Sequence, residues 1–140
     1  NTLKLYEWFA QNSCIKSPKP VIFIFDNEQV SDRPLRKFLN YINNKSLLEN
    51  RNYNHIQDNL YVLTNPLVNG NKECEIEDLF DNTVLSHTMG GKTFSRKDTD
   101  NEKYYGKAIF SQYIEKQYDN IDFSNFKPML EDIKAIVTGI

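Results

Sequence analysis

A chain of 140 residues, 39% hydrophobic and 26% charged, has the make-up of one globular domain, large enough to bury roughly two thirds of its unfolded surface. No apolar run approaches the ~18 residues of a membrane span, which sets a membrane-crossing role aside. A net charge of -2 gives no general pull toward polyanions, so any nucleic-acid contact must come from a local patch.

In chain order, Leu3, Leu5, Tyr6, Trp8 and Phe9 recur at helical spacing and predict the end of a helix; the chain is expected to be cut from a longer polypeptide. The prolines of Lys16-Ser17-Pro18-Lys19-Pro20 predict a loop. Val21-Ile22-Phe23-Ile24-Phe25 then reads as a strand, and its unbroken apolar character suits a central parallel strand covered on both faces. Asp32 and Pro34 announce a helix whose apolar positions are Leu35, Phe38, Leu39 and Ile42. After the polar stretch 50–54, Leu60-Tyr61-Val62-Leu63-Thr64 is a second strand, stopped by Asn65-Pro66. Ile76, Leu79 and Phe80 mark a short helix or strand-to-helix junction. Residues 86–103 are polar, basic and Gly-containing, and predict a long loop. Helical spacing resumes from Tyr105 to Tyr113 through Ala108 and Ile109, and again over 126–137 through Met129, Leu130, Ile133 and Ile136.

The chemistry is carried by acids. The first strand ends in Asp26-Asn27-Glu28, and in open α/β sheets the ligand crevice lies at the carboxyl ends of the strands. Two oxygen donors there point to a hard divalent cation, magnesium or manganese. A second cluster, Glu73-Cys74-Glu75-Ile76-Glu77-Asp78, follows the second strand. If Asp26, Glu28 and Glu77 converge, they form a carboxylate site for one or two magnesium ions, the arrangement of a metal-dependent nuclease. The plainer reading makes the first cluster a solvated loop and Glu77 and Asp78 the acids that favour a helix's first turn.

Cations gather at Met89-Gly90-Gly91-Lys92-Thr93-Phe94-Ser95-Arg96-Lys97, continued by Lys103 and Lys107, where a phosphate backbone finds its counter-charge. Gly90-Gly91-Lys92-Thr93 lacks the spacing and the preceding strand of a P-loop, so triphosphate binding is rejected. His55 and His87 have no ligand spacing; His87, at the mouth of the basic loop, is either an ordinary polar residue or a proton donor or phosphate contact. Cys14 and Cys74 lack metal spacing and read as reduced, buried thiols.

The segments PVIFIFDNE, NLYVLTNP, CEIEDLF, YYGKAIF and IDFSNFKPML, spread over nearly the whole chain, resemble the Toprim-type domain fused behind certain retron reverse transcriptases, RNA-directed DNA polymerase/endonuclease fusions. The resemblance implies an α/β, Rossmannoid domain over 1–140, with a central, mostly parallel sheet flanked by helices. Asp26 and Glu28 then match the family's DxD pair, and Glu77 its later acid. Two departures stand out. The second Asp is Glu28, and the family's first catalytic Glu, with its strand, falls upstream of Asn1, because Glu7 sits inside a helix.

Carried over in full, the resemblance implies a cytoplasmic magnesium-dependent endonuclease, the effector of an anti-phage system. Asp26, Glu28 and Glu77 hold the metal, and Lys92, Arg96, Lys97 and Lys107 hold phosphates of an RNA or DNA substrate. Its partners are the upstream polymerase domain, the retron RNA–DNA hybrid and, in some settings, further copies of itself. Two other classes stay open: a non-catalytic module for nucleic-acid docking or oligomerisation, and a phosphatase or receiver-like domain with Asp26 as phosphoryl acceptor.

Overall fold

The computed structural model describes residues 2–12, 19–44, 48, 53–98 and 100–139. Cys14, residues 16–18 of the expected proline loop and residues 50–52 of the polar stretch lie outside them. The described part is mixed α/β and falls into two compact units. One takes in the described residues up to Ile76 and those from Asn125 onward; the other is Glu77–Ser124.

The first unit is built on a three-stranded sheet in the order β1-β3-β2, with β1 at Val21–Phe25, β2 at Tyr53–Gln57 and β3 at Leu60–Thr64. β1 and β3 are parallel, with Phe23 opposite Val62, whereas β2 pairs with β3 as an antiparallel hairpin. The sheet is therefore mixed, not mostly parallel. β3, not β1, is the central strand: Leu60, Val62, Leu63 and Thr64 are all buried. β1 stands at the edge, where Phe23 and Phe25 face the core while Ile24 keeps 50% of its surface exposed. An unbroken apolar run thus need not mean burial on both faces, because alternate residues of a strand point to opposite sides.

β2 was hidden in a polar stretch because its residues, Tyr53-Asn54-His55-Ile56-Gln57, make a half-exposed edge. Its tight turn uses Asp58 at φ 48°, a left-handed conformation that Asp tolerates better than most side chains. His55 Nε2 lies 2.8 Å from the Asp58 carbonyl, so this histidine belongs to the turn.

The connection from β1 carries α2, Pro34–Tyr41. Proline at the start presets the helical φ, and no side chain caps the end. Leu35, Phe38 and Leu39 are buried, as their spacing requires, and join Phe23, Phe25, Leu60 and Val62 in one core. Phe38 is its hub, with ring centroids 5.3 Å from Phe25, 5.9 Å from Phe23 and 5.5 Å from Tyr6 of α1, Thr2–Gln11. Burying one such side chain contributes about 1.5–3 kcal/mol. Tyr41 Oη donates to Glu7 Oε1 at 3.0 Å, which ties α2 to α1.

A 3₁₀ turn at Ile76–Leu79 leads into the second unit, followed there by the short α3, Asn82–Leu85, whose N-terminus is capped by Asp81 Oδ1 accepting from the Val84 N–H at 2.9 Å. The expected long loop carries β4 (Thr88–Met89) and β5 (Lys92–Phe94), and Tyr105, expected to open a helix, belongs to β6 (Tyr104–Tyr105). Gly90 and Gly91, at φ 56° and 76°, make the two-residue turn between β4 and β5. Both positions need positive φ, which is why the sequence has glycine at each. α4, Lys107–Gln117, buries Phe110, which stacks on Phe94 at 4.2 Å and meets Phe80 edge-on at 5.5 Å.

In the first unit again, α5, Lys127–Thr138, packs on β3 and ends at Gly139, whose φ of 69° suits the left-handed residue that closes a helix. Among the described residues no helix is long and apolar enough to cross a membrane.

Candidate functional site

The carboxyl end of β1 continues into Asp26-Asn27-Glu28, and the backbone there acquires a second partner from the acidic segment after β3. Asn27 and Cys74 exchange both main-chain hydrogen bonds, N–H to carbonyl, at 2.8 and 2.9 Å. Cys74 is buried as a free thiol, so the flanking residues Glu73 and Glu75 turn away from it in the alternation of an extended chain. The bridge draws the second acidic segment onto the first at Glu73 and Glu75.

Asp26 is held firmly. Its Oδ1 accepts from Asn65 Nδ2 at 2.8 Å and from the Ile76 N–H at 3.0 Å. Asn65, the residue that ends β3, is 1% exposed, and its amide nitrogen also lies 3.4 Å from the Cys74 carbonyl. Its Oδ1 has no hydrogen-bond partner among the described residues. A buried amide oxygen left without a donor costs about 1–3 kcal/mol, which a water or a cation at that spot relieves. Sequence reading took Asn65 only as the stop of a strand.

Glu28 is 12% exposed at its side chain, and its Oε1 pairs with Arg33 Nε at 3.1 Å. Burial pushes its carboxyl above the usual carboxylate range; Arg33 opposes this, and the charges of Glu75, Asp26 and Glu73 add to it. The charges of Asp26, Glu73 and Glu75 thus all bear on Glu28. Glu73 Oε1 accepts from the Gln29 N–H at 2.7 Å, and Gln29 Nε2 donates to Asn27 Oδ1 at 3.0 Å. A cavity of about 70 Å³ beside these strand ends is lined by Asn27, Gln29, Leu35, Arg36, Leu39 and Thr64, among others.

The donors are all hard oxygens, the chemistry a magnesium ion selects, and the partnerless Asn65 Oδ1 adds one more. No group of three or more His, Cys, Asp or Glu side chains stands in metal-holding array among the described residues. Magnesium does not require one, since it keeps several waters and is commonly held through one or two carboxylates.

Glu77 opens the second unit. It is 5% exposed; its Oε1 pairs with Lys107 Nζ at 2.9 Å, and its Oε2 has no hydrogen-bond partner among the described residues. The neighbouring Asp78 Oδ1 pairs with Arg96 Nη2 at 2.6 Å. Lys92 Nζ donates to the Asn101 carbonyl, and Lys103 lies 3.5 Å from Asp100. Of the four cations expected on phosphates, Lys92, Arg96 and Lys107 therefore have partners within the unit, while the Lys97 side chain is exposed. The exposed Lys103–Asp100 pair is worth only about 0–1 kcal/mol, whereas the Lys107 pair is buried at its Glu77 end.

His87 lies face to face with Tyr113, centroids 4.0 Å apart and planes 7° from parallel, and its carbonyl accepts from Tyr105 Oη at 2.6 Å. No family model matches the chain, and no solved structure matches it.

Proposed function

We propose that the chain is the nuclease part of a Toprim-like retron reverse-transcriptase fusion, an effector against phage that cleaves phosphodiester bonds with magnesium at the end of β1. The observation that carries this reading is the Asn27–Cys74 bridge, which brings the segment of Glu73 and Glu75 against the strand end of Asp26 and Glu28. A cation bound there supplies Lewis-acid polarisation of the phosphodiester and a more acidic water. Asp26, fixed by Asn65 and the Ile76 N–H, and Glu28 are the residues that hold it. Glu75 and Glu73 take the part of the later acid, and Glu77 remains in its pair with Lys107.

The test is magnesium-dependent cleavage of RNA, tRNA and DNA by the chain joined to its polymerase domain, together with the melting temperature of the chain titrated with magnesium. Asp26→Asn keeps an acceptor for Asn65 and Ile76 while removing the charge. It should lower cleavage by about 10- to 100-fold, in line with the cost of disturbing a metal site, and cancel any magnesium-induced rise in melting temperature. Full activity in this variant overturns the reading. A second reading, a non-catalytic docking module, draws on the lack of a three-residue metal group among the described residues. It requires nucleic-acid binding that is unchanged in Asp26→Asn and indifferent to magnesium.

A further inference from the structure

The face of α4 beside its buried Phe110 has an unusual make-up. Ile109, Gln112, Tyr113 and Lys116 recur at three- and four-residue intervals, so they form one stripe along the helix. Ile109 is 46% exposed, and Lys116 is exposed as well. This stripe, with His87 and Met89 from the start of the β4–β5 hairpin, lines a groove of about 410 Å³. That size lies within the range of about 300–1,000 Å³ typical of small-ligand clefts, and the lining follows their pattern of apolar and aromatic walls with a few polar groups.

We propose that this groove binds a nucleotide with an unpaired base. The base stacks on an outer face of the His87–Tyr113 ring pair, whose inner faces cover each other at 4.0 Å. Aromatic faces accept any base in this way, and Ile109 and Met89 provide the apolar remainder of the wall. The Gln112 amide, donor and acceptor in one group, suits the edge of a base. Lys116, one turn further along the helix, supplies the counter-charge for the phosphate. The platform is stiff, because Tyr105 Oη holds the His87 main chain at 2.6 Å and Gly90-Gly91 closes the hairpin immediately beyond. A duplex is excluded, since its bases are stacked on one another. The proposal stands on the second unit alone and requires nothing of the acidic strand end.

The experiment is an NMR titration of the isotope-labelled chain in EDTA, which removes any contribution from a divalent cation. The ligands are AMP, a short single-stranded oligoadenylate and the same strand annealed to its complement. Amide shifts confined to residues 87–89 and 109–117 support the site. Shifts with AMP identify a free nucleotide as sufficient, and shifts with the oligonucleotide alone identify a polynucleotide as the source. Tyr113→Ala should weaken the better ligand by about 5- to 150-fold, the range expected for loss of one stacking contact, while Tyr113→Phe retains binding. Lys116→Ala should reduce the slope of log affinity against log salt by about one phosphate contact. Should Tyr113→Ala fail to fold, His87→Ala removes the other ring and should show the same loss. Undiminished affinity in the folded ring variant, equal affinity for the duplex, or no shift with any ligand overturns the proposal.

Discussion

The surroundings of Glu28 favour its protonated form, and the consequence can be read in stability. Its carboxyl holds a proton more tightly in the folded chain than in the unfolded one, chiefly through burial, with Arg33 compensating only in part. As pH rises past the ordinary value of a free glutamate, the unfolded state loses its proton first. The folded state then binds more protons, so stability falls with rising pH until Glu28 itself ionises. Glu28→Gln should therefore raise the melting temperature near neutral pH and leave it unchanged in acid, where both states are protonated; two parallel pH profiles of melting temperature would contradict this. A cation at the strand end competes with the same proton, so any magnesium-induced stabilisation should shrink as the pH is lowered through that window. Of these residues, Asp26 and Glu28 are legible in the sequence because acids directly after an apolar strand are conspicuous. Asn65 is not, since an Asn before a proline usually signals only a turn. Glu73 and Glu75 are legible in hindsight from their alternation about a buried cysteine, the two-residue period of an extended segment.

Among the elements, β1 and β3 match the sequence reading residue for residue because each is a five-residue apolar run bounded by polar residues and proline. α2 and α5 follow from their three- and four-residue spacing. What escapes is short or polar: β2 has a half-exposed pattern, and β4, β5 and β6 are two or three residues long, too brief for any period to emerge. The Gly90-Gly91 pair carried the missing information, because two glycines between short flanking segments are a hairpin signal. Gly91→Val puts a β-branched residue at φ 76°, where no steric clash intervenes but the backbone is strained. It should cost about 1–2 kcal/mol in chemical denaturation, while Gly91→Asn is tolerated. β1 offers a different liability. It is hydrogen-bonded through β3 on one side in the sheet order, and Ile24 adds an exposed apolar side chain to that edge. Ile24→Lys should reduce light scattering on heating, as edge lysines do, and change stability by no more than about 0.5 kcal/mol.

At the scale of the whole molecule, each unit has its own aromatic centre, Phe38 in one and Phe110 in the other. Phe38→Ala removes a side chain that is 1% exposed and touches three other rings, and it should cost about 3–5 kcal/mol, read as a lower denaturant midpoint. Hydrogen exchange should then accelerate first in β1 and β3, the strands whose Phe23, Phe25, Leu60 and Val62 share its cluster. The division into units is the feature least legible in the sequence. Composition does not change at Ile76 or Asn125, and the return of the chain as α5 onto β3 is a long-range contact that no local pattern encodes.

That return path also governs how the molecule answers a mechanical pull. The covalent chain leaves the first unit at Ile76 and re-enters it at Asn125, so tension applied at the two chain ends runs through the first unit before it reaches the inserted segment. In an optical-tweezers extension the first unit should yield first in every trace, and only then should residues 77–124 feel force and give a second, later rip. A trace in which the inserted segment lengthens first would show that the load follows another route.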